Sequence, residues 1–209
     1  TQIFKGEDVS LTFNVSKTKK EIQDDLLSIE GVSQVESTLS SYCTVYKEDG
    51  PMENTTITII DDDSRIKKID FDIDSIAVSQ KVARKIGVIS GDVISFQYNN
   101  TVYEGKVGVV YEAFFYNGIM IHESNPILSD LGELSYQGAG VFVKEDADVG
   151  KVKEELEQIP YVFDCKTKKE WSVRIRSVMS GVLVMTNAVK VFAILLGIVV
   201  LYNLSLMNF

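Results

Sequence analysis

From Val191 to Met207 the chain reads VFAILLGIVVLYNLSLM, without a single charged residue. The apolar character begins near Val182 and is broken only by Thr186, Asn187 and Lys190. A helix needs roughly 20 apolar residues to cross a bilayer, and this run is long enough if counted from Val182. Almost every position around its helical wheel is apolar, which a surface helix of a soluble protein does not tolerate. The competing reading is a helix buried in a soluble core. A membrane span is therefore predicted at the C-terminal end, and the rest of the chain must fold ahead of it. The sequence starts at Thr1, and the helical pattern still runs at Phe209, so it reads as a segment of a longer protein.

What precedes the span has a globular composition, with 45% hydrophobic and 24% charged residues in the whole chain and only three prolines. The 209 residues suffice for one good core or two small ones. A net charge of −9 speaks against a nucleic-acid partner, because phosphate contacts need clustered Lys and Arg. Cys43 and Cys165 stand outside any CxxC or zinc-like spacing. One bridge between them is the alternative, but the topology below places them on opposite sheet edges, so free or buried thiols are expected.

Periodicity divides the soluble part into two similar ends and a different middle. Val9–Val15 alternates as a strand, Lys17–Glu30 carries Ile22, Leu26 and Ile29 on one helical face, and Val32–Tyr46 reads as a long strand with room for a bulge. Asp49-Gly50-Pro51 turns the chain into a returning strand, Thr55–Ile60. Near the other end, Gly140–Lys144 reads as a strand. Val149, Val152, Leu156 and Ile159 mark a helix, and Tyr161–Thr167 reads as a strand. Apolar residues hold matching places in Ile29–Val35 and Ile159–Cys165. Two strand–helix–strand units of this kind can pair into a split βαβ, ferredoxin-like sheet with two helices on one face. The fold class expected is α+β: a ferredoxin-like part, an inserted β-rich part and a long C-terminal helix.

In the middle, Ser79–Ile86 reads as a short helix capped by Ser79 and stopped by Gly87, with Val78, Val82 and Ile86 on one face. Val93–Tyr98 and Thr101–Tyr111 flank Asn99-Asn100, a pair that tolerates the positive φ of a tight hairpin. Gly118–His122 is a further strand, and Pro126 opens a short helix running to Leu134. The predicted division is 1–75 with 136–168 for the ferredoxin-like part, 76–135 for the insertion and 169–209 for the stalk and span. The last helix, from Lys168, would measure roughly 60 Å.

Little in the sequence points to catalysis, and no enzyme is expected. The chain has one histidine, His122, and nothing around it forms a nucleophile motif; a strand-end or loop histidine is expected. No GxSxG, HExxH, P-loop or GxGxxG occurs. Asp61-Asp62-Asp63 and Asp70, Asp72, Asp74 supply the hard oxygens calcium favours, but without EF-hand spacing. The second set alternates with Phe71 and Ile73 as a half-exposed strand would. Both sets are expected as solvated surface, and no cofactor or metal is assigned. Asn54-Thr55-Thr56 and Asn99-Asn100-Thr101 match the N-glycosylation pattern by chance. Lys166, Lys168, Lys169, Arg174 and Arg176 form a basic run just before the span. It is either a solvated helix face or a contact for anionic headgroups or wall polymers. Positive-inside logic alone would put that run in the cytoplasm.

Three stretches resemble the FtsX-like permease family, which includes MacB-type efflux and lipoprotein-release permeases. Ile76–Val110 resembles the short helix, Gly-Asp turn (Gly91-Asp92) and β hairpin of those extracellular domains. Val191–Phe209 resembles the start of their membrane domain. Thr1–Phe13 resembles the sequence after the preceding membrane helix in two-repeat members. Lys190 departs from the pattern. The resemblance implies a bacterial cell-membrane protein with its domain on the extracellular side, containing a ferredoxin-like "porter" part and a β-rich insertion. It implies a cytoplasmic ATP-binding subunit as partner, and either a dimer of permease units or a two-repeat permease. The function implied is transmission of motion from the ATPase to an outside task, either export of lipid, peptide or drug, or control of a cell-wall hydrolase. The alternative is a membrane-anchored extracellular binding or sensor module without an ATPase. Trp171, Arg174, Arg176 and Lys190 would belong to the stalk and membrane boundary. Phe114, Phe115 and Tyr116, in an aromatic loop, would contact a possible extracellular protein partner.

Overall fold

The computed structural model describes residues 6–48, 50–66, 69–112, 117–131 and 134–207. It divides into two units, one reaching Lys168 and one from Lys169 onward. In the first unit, strand β1 (Val9–Lys17) leads into helix α1 (Lys19–Leu27) and then β2 (Val32–Tyr46). Thr18 fixes the start of α1 through a capping box. Its hydroxyl accepts from Glu21 N at 3.3 Å, and the Glu21 carboxylate accepts from Thr18 N at 3.0 Å. The second strand–helix–strand unit is β8 (Tyr136–Val143), α3 (Val149–Glu157) and β9 (Val162–Thr167). Asp148 caps α3 by accepting from Gly150 N at 2.8 Å.

The two units repeat each other down to their turns. Val32 N donates to Ile29 O at 3.2 Å, and Val162 N donates to Ile159 O at 3.0 Å. Glycine meets this turn once, at Gly31, and tyrosine replaces it at Tyr161. The Tyr161 ring packs edge-on against Phe13 at 5.2 Å, and its hydroxyl donates to Asp25 at 2.9 Å. The four strands pair in the order β2-β8-β1-β9, antiparallel throughout, as a split βαβ requires. Val35, Val141 and Val9 fall in one buried row across β2, β8 and β1. Ile22 and Leu26 of α1 and Val152 and Leu156 of α3 join the same core.

The remaining strands are β3 (Glu53–Ile60), β4 (Ile76–Ser79), β5 (Val93–Tyr98), β6 (Thr101–Tyr111) and β7 (Gly118–His122). They follow the order β3-β7-β4-β6-β5-β2, and β3 also pairs β2. The six strands therefore close into a ring, which removes exposed edges. Two pairings, β3–β7 and β4–β6, are parallel. Ile57, Ile59, Ile76, Val78, Ile94, Phe96, Val107, Ile119 and Ile121 are buried within this part. Asn99 and Asn100 take φ values of 49° and 64° and close the β5–β6 hairpin.

Several local expectations need correction. Val78 lies in β4, and helix α2 (Gln80–Ile86) buries Val82, Ala83 and Ile86 instead. Ser79 stands at the N-cap, but its hydroxyl makes no cap hydrogen bond; it accepts from Gly118 N at 3.0 Å. That tertiary acceptor role outcompetes the local one. Asp70, Asp72 and Asp74 sit in irregular chain and a turn, because no neighbouring strand pairs with them. The segment opened by Pro126 is a 3-10 helix ending at Leu131. Cys165 lies on the edge strand β9, whereas Cys43 lies on the interior strand β2; both are buried thiols. Burial pushes the Cys43 thiol up to about 12.

Gly118 shows how tightly the ring closes. A Cβ there would stand 2.1 Å from the Thr56 carbonyl oxygen across the parallel β3–β7 pairing. Gly118→Ala must push two backbones apart and is expected to cost about 1–3 kcal/mol, read as a lowered midpoint in chemical denaturation of the full chain.

Candidate functional site

The second unit is made by the C-terminal helix α4 (Lys168–Met207) from its second residue onward, and α4 follows β9 with no intervening residue. Its 40 residues span about 60 Å. It is long and apolar enough to cross a membrane, and its apolar window is wholly unburied. Every large apolar side chain from Val182 to Met207 is more than half exposed. A surface of that kind has no stable cover in water. Thr186 satisfies its hydroxyl internally, donating to Val182 O at 2.9 Å, so it adds little polarity to the helix surface. Trp171 is half-buried to exposed at 38%, and Arg174, Arg176 and Lys190 are exposed.

Phe114, Phe115 and Tyr116 lie outside the described residues. On either side of them the described residues are tied into the ring. Thr55 and Thr56 hydroxyls donate to Asn117 O at 3.2 and 2.9 Å, and the buried Tyr111 hydroxyl donates to Gly118 O at 3.3 Å.

A second polar assembly sits where β3 and β7 end. Because the two strands run parallel, Ile60 and His122 are partners and their following residues emerge side by side. Asp61-Asp62-Asp63 thus meets Glu123-Ser124-Asn125. Lys19, at the start of α1, reaches both: its ammonium donates to Asp61 at 2.7 Å and to Glu123. The Tyr136 hydroxyl donates to Glu123 at 2.9 Å. Burial pushes the Asp61 carboxyl up to about 6, outweighing Lys19. Burial also disfavours the Glu123 charge, but the hydrogen bonds from Lys19 and Tyr136 prevail and hold it below the usual glutamate range.

The connection after β3 is held by Glu36, a buried carboxylate on β2. Glu36 accepts from Ser64 Oγ at 2.8 Å, Arg65 N at 2.7 Å and Ile66 N at 3.3 Å. The Arg65 guanidinium stacks over Phe142 at 5.0 Å and donates to Gln34 at 3.0 Å. Sequence reading passed over Glu36, since its alternation matches an exposed strand position. The one available signal is the polar Ser64-Arg65 dipeptide, which has no meaning until the chain folds back on β2.

His122 is the last residue of β7, the strand-end position expected of it. It is buried on β7 with the Phe71 ring 4.3 Å away. Beside it lies a cavity of 290 Å³ lined by Ile60, Asp61, Asp62, Ser64, Ile69, Asp70 and His122. Among the described residues, no three His, Cys, Asp or Glu side chains stand close enough to hold a metal ion.

Comparison with known proteins adds the fold. No protein-family model matches the chain, and no curated protein matches it. Among solved structures, the extracellular domain of the noncanonic ABC-type transporter YknZ from Gram-positive bacteria is similar. Its TM-score is 0.52 at 14% identity, over 71% of this chain and 89% of that one. The periplasmic region of MacB from Actinobacillus actinomycetemcomitans gives a TM-score of 0.55 at 12% identity, over 82% of this chain and 94% of that one. The fold is therefore shared with the YknZ and MacB domains, as the sequence resemblance implied.

The raised Asp61 carboxyl has a definite pH signature. Its folded value lies above the ordinary aspartate value of 3.8, so the folded state binds the extra proton, and this contribution to stability is lost as pH rises from about 4 to about 6. Asp61→Asn removes the effect. The stability difference between variant and parent is expected to move in the variant's favour by about 1–2 kcal/mol across that window, after discounting for solvent screening, in denaturation curves at stepped pH.

Proposed function

We propose that this chain is the extracytoplasmic domain, with its following membrane helix, of an ABC transporter permease. In this reading a cytoplasmic ATP-binding subunit drives the membrane helices, and α4 carries the motion to the folded head on the outer face of a bacterial cell. The head performs no catalysis. It moves with the ATP cycle and serves an outside task, either export of a lipid, peptide or drug or control of a cell-wall hydrolase.

The observation that carries the proposal is the direct passage from β9 into α4. Thr167 still pairs with Val9, and Lys168 N still donates to Asp8 O at 2.9 Å. The next residues are already helical and continue into the uncovered apolar stretch. A tether without a coupling role needs no such continuity, since Gly- and Ser-rich linkers serve for attachment alone. The fold shared with the YknZ and MacB domains supports the same reading. Lys168, Lys169, Arg174 and Arg176 lie where a stalk meets anionic headgroups, which attract basic segments by about 1 kcal/mol per residue. Working units are either dimers of permeases or one permease with two repeats.

A flexible Gly/Ser stretch inserted after Glu170 separates coupling from attachment. The altered protein is expected to reach the membrane with its head folded, yet to lose the export or cell-wall phenotype of the parent. A normal phenotype with the insertion present overturns the coupling role of α4.

A further inference from the structure

The cavity at the ends of β3 and β7 has three properties that belong together. Its wall carries the carboxylates of Asp61, Asp62 and Asp70. Among the described residues lining it, there is no lysine or arginine. Lys19, the nearest described cation to Asp61, is divided between Asp61 and Glu123, and Arg65 is committed to Gln34 and the face of Phe142. The third property is His122. Its side chain is 8% exposed, and its Nδ1 is buried without a hydrogen-bond partner. The nearest acceptor, Asp62 Oδ1, stands at 3.7 Å, beyond hydrogen-bond reach. A buried polar atom left unpaired in a folded protein calls for an explanation.

We infer that this cavity is a binding site for a primary ammonium group, held between Asp62 and the orphaned Nδ1 of His122, with Asp70 adding negative charge to the same wall. An ammonium presents three donors and no acceptor, which suits Asp62 Oδ1 and His122 Nδ1, two acceptors 3.7 Å apart. A donor between Asp62 and His122 satisfies both atoms at once. The side chain of Asp62 is 40% exposed, and its Oδ1 also accepts from Ser124 N at 3.3 Å, which holds the carboxylate beside His122. At 290 Å³ the cavity holds on the order of ten water-sized volumes, which is room for the end of an alkylammonium chain rather than for a bare ion. Ile60 and Ile69 provide apolar wall for the methylene stem. Phe71 and Glu36 hold the two sides, the first by packing on His122 and the second by anchoring Ser64 to Ile66. The site stands on the geometry of the ring of strands, so its test is independent of any coupling to an ATPase.

The test is calorimetric titration of the full chain in detergent with N-acetyl-lysine amide, and with N-acetyl-norleucine amide, which keeps the alkyl stem and lacks the charge. Saturable binding of the lysine compound is expected, with a dissociation constant on the order of 1 mM or below, and none of the norleucine compound. The double variant D62N/D70N alters exposed side chains, so its fold is checked by an unchanged circular dichroism melt; it should bind at least tenfold more weakly. Equal binding of both compounds, or unaltered binding by D62N/D70N, overturns the inference. So does tighter binding of Mn²⁺ or Ca²⁺ that displaces the amine, which assigns a metal site instead. Binding that arises only in a K67Q/K68Q variant likewise overturns it, by assigning the acidic wall to the chain's own lysines.

Discussion

β2 belongs to two sheets at once, and the head depends on that. Its first half, Val32 to Thr38, pairs with β8 in the four-stranded split βαβ sheet. Its second half, Leu39 to Val45, pairs with β3, and its last residues pair with β5. The strand crosses from one architecture to the other without a linker, so the backbone hydrogen bonds of the two parts form one network. The buried apolar side chains likewise form one main core. Packed interiors transmit displacement because they are dense and have little room to absorb it. β9 is therefore joined to the ring of strands through β1, β8 and β2 by continuous backbone pairing rather than through a loop.

The same strand organises the polar features. Glu36 stands near the crossover and collects three donors from Ser64 to Ile66. This brings the β3–β4 connection back across β2, and the acidic cavity beside His122 is the space left between that connection and the ends of β3 and β7. Parallel pairing of β3 and β7 then sets Asp61 against Glu123, where Lys19 joins them. Carboxylates that repel in isolation are held together by one shared ammonium and by the Tyr136 hydroxyl.

Local signals were legible where the residues themselves decide the structure. The alternation in β1 and β2, the Thr18 cap with Glu21, the Asn99-Asn100 turn and the matched junctions at Ile29 and Ile159 all act within a few residues. The uncharged run in α4 belongs to the same class. Closure of the ring was not legible, because it rests on β3–β7 and β4–β6 pairings between segments far apart in sequence. β4 was hidden for a related reason: Ile-Ala-Val-Ser is a short apolar run, and such runs do not distinguish a buried strand from the first turn of a helix. Ser79 misled through its type, since a cap serine and a serine accepting from a distant glycine look alike in sequence. Asp70 to Asp74 alternate without a partner strand, and alternation alone does not make a sheet.

The account places an acidic folded head outside the cell and an apolar helix in the bilayer, and sidedness is its most exposed point. Val102, on β6, is 52% exposed, whereas Cys43 and Cys165 are buried. The decisive measurement is labelling of a Val102→Cys chain in intact bacterial cells with a membrane-impermeant maleimide. The account predicts labelling of intact cells to the same extent as lysed ones. Labelling that appears only after lysis would place the head in the cytoplasm and contradict it.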